Sequence, residues 1–194
     1  MTAYSAQFCL IVVDFQNDFA DSAGSLFVES SPRLLDFINH EAADAAASGA
    51  LLVRSQDWHP ESTPHFAKDG GVWPVHCVAG SWGAEFHPDL RVEGPVVRKG
   101  VGGEDGYSAF TVRDPETGEE SQTGLEEILT ERGITDVIVC GLATDYCVKE
   151  TARDAARLGF ATTLLADGIG PVNVEPGDGA RAIASMIASG VAVE

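Results

Sequence analysis

Four times in this chain a helical pattern stops at a glycine and the very next residue is apolar and opens a short hydrophobic run. Gly49 precedes Ala50-Leu-Leu-Val53, and Gly133 precedes Ile134 and then Val137-Ile-Val-Cys140. Gly159 leads into Ala161-Thr-Thr-Leu-Leu-Ala166, and Gly190 into Val191-Ala-Val193. Glycine takes the left-handed backbone that ends a helix, so each pair reads as a helix C-cap feeding a strand. Two more apolar runs, Phe8–Val13 and Pro95–Val97, complete the set. The runs are continuous rather than alternating, which suits strands covered on both faces. Strand–helix alternation of this kind predicts an α/β fold around a mainly parallel sheet.

The helices between the strands are also marked. Ser31 followed by Pro32 predicts a helix start with Ser31 as N-cap, and Leu34, Leu35, Ile38, Ala42 and Ala46 recur at helical spacing. Further helices are predicted over about Leu125–Glu131, Asp145–Leu158 and Gly179–Ala188. The segment from Ser55 to Gly94 has little helical periodicity, yet it contains Trp58, Trp73 and most of the histidines. A long irregular excursion in a compact domain is usually functional.

Composition narrows the function. Twelve Lys+Arg stand against 30 Asp+Glu, a net charge of −18, which disfavours nucleic acids and anionic membranes as partners. A hydrophobic share of 44% supports a real core, and 194 residues fit a single domain, residues 1–194. The first basic residue is Arg33, and the run Phe8–Val13 stops at Asp14, so neither an export signal nor a membrane span is expected. Cys9 and Cys140 lie inside apolar runs, as buried free thiols do; the expectation is a cytoplasmic protein with few or no disulfides.

In open α/β sheets, ligands bind beyond the carboxyl ends of the strands. The residues there are Asp14, Asp57 with His59, Lys99, and Ala143–Cys147. With Thr144 as N-cap, Cys147 falls in a first helical turn, where the helix dipole lowers a thiol pKa and backbone N–H groups can hold an oxyanion. The plainer reading is a small buried side chain. Asp14 can equally cap a turn, and Lys99, like Arg98 beside it, can be a solvated strand end. Together, Asp14, Lys99 and Cys147 form an acid/base, cation and nucleophile set. Asp57, His59, His65 and His76 offer oxygen and imidazole donors for Zn²⁺, Mn²⁺ or Fe²⁺, with Cys77 a competing ligand and scattered loop histidines the plain alternative. His40 and His87 read as surface residues.

Seven short pieces, in order, resemble the nicotinamidase/pyrazinamidase branch of the isochorismatase-like cysteine hydrolases. They are Val13-Asp-Phe-Gln-Asn-Asp-Phe19, Asp57-Trp-His59, Pro64-His-Phe66, Trp73-Pro-Val-His-Cys77, Lys99-Gly100, Gly106-Tyr-Ser108 and Gly141-Leu-Ala-Thr-Asp-Tyr-Cys147. The resemblance implies a three-layer α/β sandwich with a six-stranded, mainly parallel sheet. It implies Cys147 as nucleophile, Asp14 as its proton acceptor and Lys99 as the third triad member. One divalent metal ion (Zn, Mn or Fe) is implied on Asp57, His59, His65 and His76, within the insertion at about 55–94. Phe19 and Trp73 would sandwich a flat ring, Tyr107 would close the pocket, and the N–H groups of Ala143 and Cys147 would form the oxyanion hole, after a cis peptide.

The implied activity is hydrolysis of nicotinamide, and of pyrazinamide, in pyridine-nucleotide (NAD) salvage. The implied partner is a small amide substrate, with no nucleic acid or membrane; self-association is left open. Gly100–Gly106 is slightly longer than the family pattern, and Thr111–Gln122 is a polar insertion without a counterpart in it. Two other readings stay open. One is another small-amide hydrolase of the superfamily; the other is a non-catalytic metal-binding module on the same fold.

Overall fold

Strand β1 (Phe8–Val13) buries five of its six residues, because both of its faces are covered. Cys9, Ile11 and Val13 point into one core, and Leu10 and Val12 into the other. This is the continuous apolar pattern read from the sequence, now with its cause: a strand in the middle of a two-sided sheet. A computed structural model describes residues 4–194. The remaining elements of the main sheet are β2 (Leu51–Asp57) and β3 (Val96–Lys99), then β6 (Asp136–Leu142), β7 (Ala161–Gly170) and β8 (Ala192–Val193). Their order is β3-β2-β1-β6-β7-β8, and every neighbouring pair is parallel. The sheet is therefore wholly, not just mainly, parallel.

Helix α2 (Ser31–Ala47), which follows the short α1 (Asn17–Ala20), covers one face of the sheet. Helices α3 (Leu125–Glu131), α4 (Lys149–Arg157) and α5 (Asp178–Ala188) lie over the other core. The result is three layers. The four glycine stops all adopt positive φ, between 65° and 94°. Among the described residues no helix is long and apolar enough to cross a membrane.

Two helix starts differ from the expectation. The residue capping α2 is Ser30, not Ser31. Ser31 lies inside the helix, buried, and its hydroxyl donates to Ala20 C=O at 2.8 Å, tying α1 to α2. The cap before Cys147 is Ala143 rather than Thr144, and the first turn, Thr144–Val148, is π-helical. The insertion at 111–122 forms an antiparallel hairpin at the surface, β4 (Thr111–Arg113) with β5 (Glu120–Gln122), in which Val112 is buried.

The topology fixes where a site can form. The chain runs outward from β1 to β2 and β3, then returns to β6 on the far side of β1. The carboxyl ends of β1 and β6 thus flank the switch point, where a crevice opens. Register aligns Val13 with Gly141 across that junction, and Asp57 with Lys99 on the next pair of strands.

Gly141 marks the closest approach of backbone at this point. Its φ is +112°, and a Cβ there would sit 2.2 Å from Val13 C=O. Gly141→Ala is expected to destabilise the fold by about 3 kcal/mol, from overpacking against a strand that cannot move. Gly118→Ala, at a positive φ of +72° with open space around it, should cost only about 1 kcal/mol. Urea denaturation of both variants checks the difference; equal costs would show that contact with β1 is unimportant.

Candidate active site

The residues at the strand ends meet in one buried cluster. Asp14 follows β1 with φ +44°, a left-handed backbone uncommon for a residue other than glycine. Lys99 closes β3, and its ammonium lies 2.8 Å from Asp14 Oδ2 and 3.4 Å from Cys147 Sγ. Lys99 also donates to Asp57 Oδ1, at the end of β2. Asp14 is fully buried and Lys99 is 1% exposed, so the plain reading of Lys99 as a solvated strand end is overturned. Ser55 on β2 donates to Asp14 Oδ1 at 2.7 Å and fixes the carboxylate plane. Asp14, Lys99 and Cys147, grouped from the sequence, are thus brought into contact. Arg98 points elsewhere, its guanidinium 3.9 Å over the Trp58 ring.

The electrostatics differ from expectation at the thiol. Burial pushes Cys147 well above the ordinary thiol range; the Lys99 ammonium opposes this, and Asp14 and Asp57 add to it. A first-turn depression of the pKa does not win, because the turn is buried beside two carboxylates. Burial also raises Asp14, against the pull of Lys99. Burial alone would lower Lys99, but Asp14 and Asp57 hold it well above its usual value. For Asp57, burial is overcome by Lys99 and the nearby histidines, and its carboxyl is held far below the carboxylate range. The cluster sets one ammonium between the carboxyl groups of Asp14 and Asp57, next to a thiol whose burial favours its protonated form.

A histidine cluster lies on the other side of Asp57. His59, His65 and His76 are buried, and one ring nitrogen from each lies within 4.8 Å of the others. Asp57 Oδ2 is 3.8 Å from His59 Nε2 and 3.9 Å from His76 Nε2. His76 Nδ1 donates to Pro74 C=O at 2.7 Å, leaving Nε2 for the cluster. Burial pushes His76 down to about 4, so its ring is neutral and able to ligate at pH 7. Both ring nitrogens of His59 are buried without a hydrogen-bond partner. Orphaned polar atoms of this kind are costly unless something binds them. Three imidazoles and a carboxylate oxygen fit a borderline divalent ion. Cys77 lies outside the cluster, with its thiol towards Gly83 C=O. His40 is exposed, while His87 is half-buried with its ring 6.2 Å from Phe15.

Beside Cys147 is an apolar pocket lined by Phe19, Trp73, Tyr107 and Ala143, the residues expected there, and by Leu26, Tyr146 and Val172. Trp73 Nε1 donates to Tyr107 Oη at 3.0 Å, and its ring meets Tyr146 edge-on at 4.8 Å. The Leu142–Ala143 peptide is cis. Val148 N–H and Tyr146 N–H both donate to Ala143 C=O, which shapes the turn around Cys147. Sequence reading missed Tyr146, although it sits inside the Gly141–Cys147 motif. Leu26 and Val172 lie in loops outside any helical or strand pattern and carried no signal. Asp105, which accepts from His65 Nδ1 at 2.8 Å, was also missed.

Lys99→Met should remove the cation, leaving the buried Asp14 carboxyl without a charged partner and Asp57 with only the histidines. The expected loss is about 3–5 kcal/mol at pH 7. Unpaired buried carboxylates have folded pKa values above their unfolded ones, so their penalty shrinks as pH falls through the raised value. Urea denaturation of the variant at pH 7 and pH 5 measures this; a loss that does not diminish at pH 5 would contradict the buried-carboxylate account.

The isochorismatase domain family matches residues 8–193. A nicotinamidase of Escherichia coli (strain K12) is 37% identical, over 93% of this chain and 91% of its own. The structure of PnC1 from L. infantum in complex with nicotinate superposes with a TM-score of 0.89 at 38% identity, covering 100% of this chain and 95% of that one. Pyrazinamidase of Pyrococcus horikoshii in complex with zinc gives 0.85 at 35% identity, over 97% and 98%. With the family match spanning nearly its whole length, this chain belongs to the isochorismatase family.

Proposed function

We propose that the protein hydrolyses nicotinamide to nicotinate and ammonia through a thioester on Cys147, and accepts pyrazinamide as well. The observation that carries this reading is the contact of Lys99 with Asp14, Asp57 and Cys147 beside an aromatic-lined pocket. Similarity to a nicotinamidase and to a structure holding nicotinate supports the substrate. The chain works as one domain, since the reacting groups come from Asp14 to Cys147. Four free, buried cysteines fit a reducing cytoplasm, and the activity fits salvage of pyridine nucleotides.

The amide lies in the pocket between Phe19 and Trp73, with Tyr107 and Tyr146 at its edge. Asp14 takes the Cys147 proton as sulfur attacks the amide carbon, so the thiolate forms only when substrate is present. This suits a thiol held protonated by burial. Lys99 offsets the negative charge on Asp14 and sulfur, and the N–H groups of Ala143 and Cys147 receive the oxyanion. Asp14 then gives its proton to the amide nitrogen as the C–N bond breaks and ammonia leaves. In the second half, Asp14 takes a proton from water as its oxygen attacks the thioester carbon. The C–S bond breaks, and Asp14 returns the proton to sulfur. Asp57, His59, His65 and His76 would hold a divalent ion, which supplies a Lewis acid able to accept a lone pair from the substrate ring or from water.

Cys147→Ala is expected to abolish ammonia release while circular dichroism and metal content stay unchanged. Residual activity above about one hundredth of wild type would remove Cys147 as nucleophile. Asp14→Asn should lower turnover by about 10²–10⁴-fold while substrate still binds. Near-wild-type turnover across pH would count against it.

A flat apolar slot cannot separate pyridine from benzene, whereas a contact with the ring nitrogen can. Nicotinamide should therefore exceed benzamide in kcat/KM by about 10²-fold or more, with pyrazinamide remaining a substrate. Equal values for nicotinamide and benzamide would exclude that contact. Benzamide hydrolysed faster than both would favour a different small-amide hydrolase.

A further inference from the structure

Asp105 has no place in the proposed reaction, yet it is built into the site from two directions. Its Oδ1 accepts from His65 Nδ1 at 2.8 Å. Its main chain pairs with Arg113 of β4 through two antiparallel bonds, Asp105 N–H to Arg113 C=O at 2.7 Å and Arg113 N–H to Asp105 C=O at 2.6 Å. The hairpin is in turn pinned to the body of the protein. Thr111 donates from its hydroxyl to Asp154 of α4 at 3.0 Å, and Ala109 N–H donates to Thr151 Oγ1, also of α4, at 2.9 Å. Thr123, just after β5, closes back on Ala109 C=O at 2.6 Å. A continuous chain of bonds therefore runs from α4 through the hairpin to the ring of His65.

The chemistry of the imidazole gives this chain a purpose. A neutral histidine carries one proton, and a carboxylate at Nδ1 holds the proton there. The lone pair then sits on Nε2. His76 is set the same way by Pro74 C=O. His65 sits on an irregular loop; its ring stacks on that of His59 at 4.9 Å, and the bond from Nδ1 to Asp105 is the side-chain hydrogen bond that fixes its rotation within that stack. Carboxylate partners of this kind orient metal-binding histidines and raise their basicity.

We propose that Asp105, held by the β4–β5 hairpin, is a positioning residue for His65, fixing its tautomer and ring angle so that Nε2 faces the ion shared with His59 and His76. This assigns a role to the polar insertion at 111–122, and it rests on the metal reading above. The competing account is that Asp105 only satisfies a buried N–H and steadies the loop, with or without metal.

The test is zinc affinity, measured by competition with a chromogenic chelator, for wild type, Asp105→Ala, Asp105→Asn and Arg113→Pro. Urea denaturation of each metal-free protein runs alongside. Asp105→Ala should weaken zinc binding by about 10–100-fold, with little change in metal-free stability, since Asp105 is half-exposed. Asp105→Asn keeps the shape but loses the charge-assisted bond, so a smaller weakening is expected. Arg113→Pro deletes the donor to Asp105 C=O without touching the carboxylate, and should weaken zinc binding several-fold. Zinc affinity of Asp105→Ala within about two-fold of wild type overturns the proposal, since removal of such a partner costs at least about ten-fold. A normal affinity in Arg113→Pro overturns the hairpin's share. Wild type that takes up no zinc would defeat the metal reading itself, a result distinct from zinc bound equally well by wild type and Asp105→Ala.

Discussion

The site depends on one buried ammonium. Lys99 brings a positive charge into a space from which water is excluded, and two carboxylates and a thiol are arranged around it. None of these groups is stable there alone. An unpaired buried charge costs several kcal/mol, so each partner is needed by the others. The sheet makes the arrangement possible. β1, β2 and β3 are neighbours along the sheet and parallel, so their carboxyl ends lie on one edge of it and deliver Asp14, Asp57 and Lys99 to the same place. A one-residue slip in register would turn each side chain to the opposite face.

Asp57 connects this cluster to the histidines. One of its oxygens accepts from Lys99, and the other faces His59 and His76. The two halves of the site are therefore not independent. In the proposed chemistry, Asp57 is shared between the charge balance at the thiol and the ligand set of the ion. Against burial, Lys99 and the nearby histidines hold its carboxyl down, whereas burial and the Asp57 charge raise Asp14 against the pull of Lys99 and Ser55. Two carboxylates a few ångströms apart are driven to opposite behaviours by their neighbours, which is how one cluster holds both a fixed charge and a proton carrier.

The cysteine shows how local and tertiary effects compete. Placement in the first turn after a strand argues for a depressed thiol pKa, and the turn is indeed there. What the sequence did not reveal is that the turn is π-helical, is capped by Ala143 rather than Thr144, and is packed so closely that burial dominates. The thiol is consequently protonated at rest. Under the proposed mechanism its activation waits for the substrate, a different kind of control from a permanently formed thiolate.

Periodicity and punctuation alone determined much of this protein. The glycine stops, the continuous apolar runs and the Ser-Pro helix start predicted six strands and their helices, because helix ends and doubly covered strands impose short-range rules on residue type. Candidate chemistry was legible too: Asp14, Lys99 and Cys147 stand at strand ends, and a D-x-H pair with two more histidines stands in the irregular insertion. Only the tertiary structure decided which of these groups meet, which oxygen of Asp57 faces which partner, and that Lys99 rather than Arg98 turns inward. It alone found Leu26, Tyr146, Val172 and Asp105, and it showed the polar insertion at 111–122 as a hairpin bonded through Asp105 to His65. The reason is physical. Strand and helix formation is written in neighbouring residues, whereas burial, charge pairing and ring orientation depend on side chains that are far apart in sequence until the sheet brings its strand ends together.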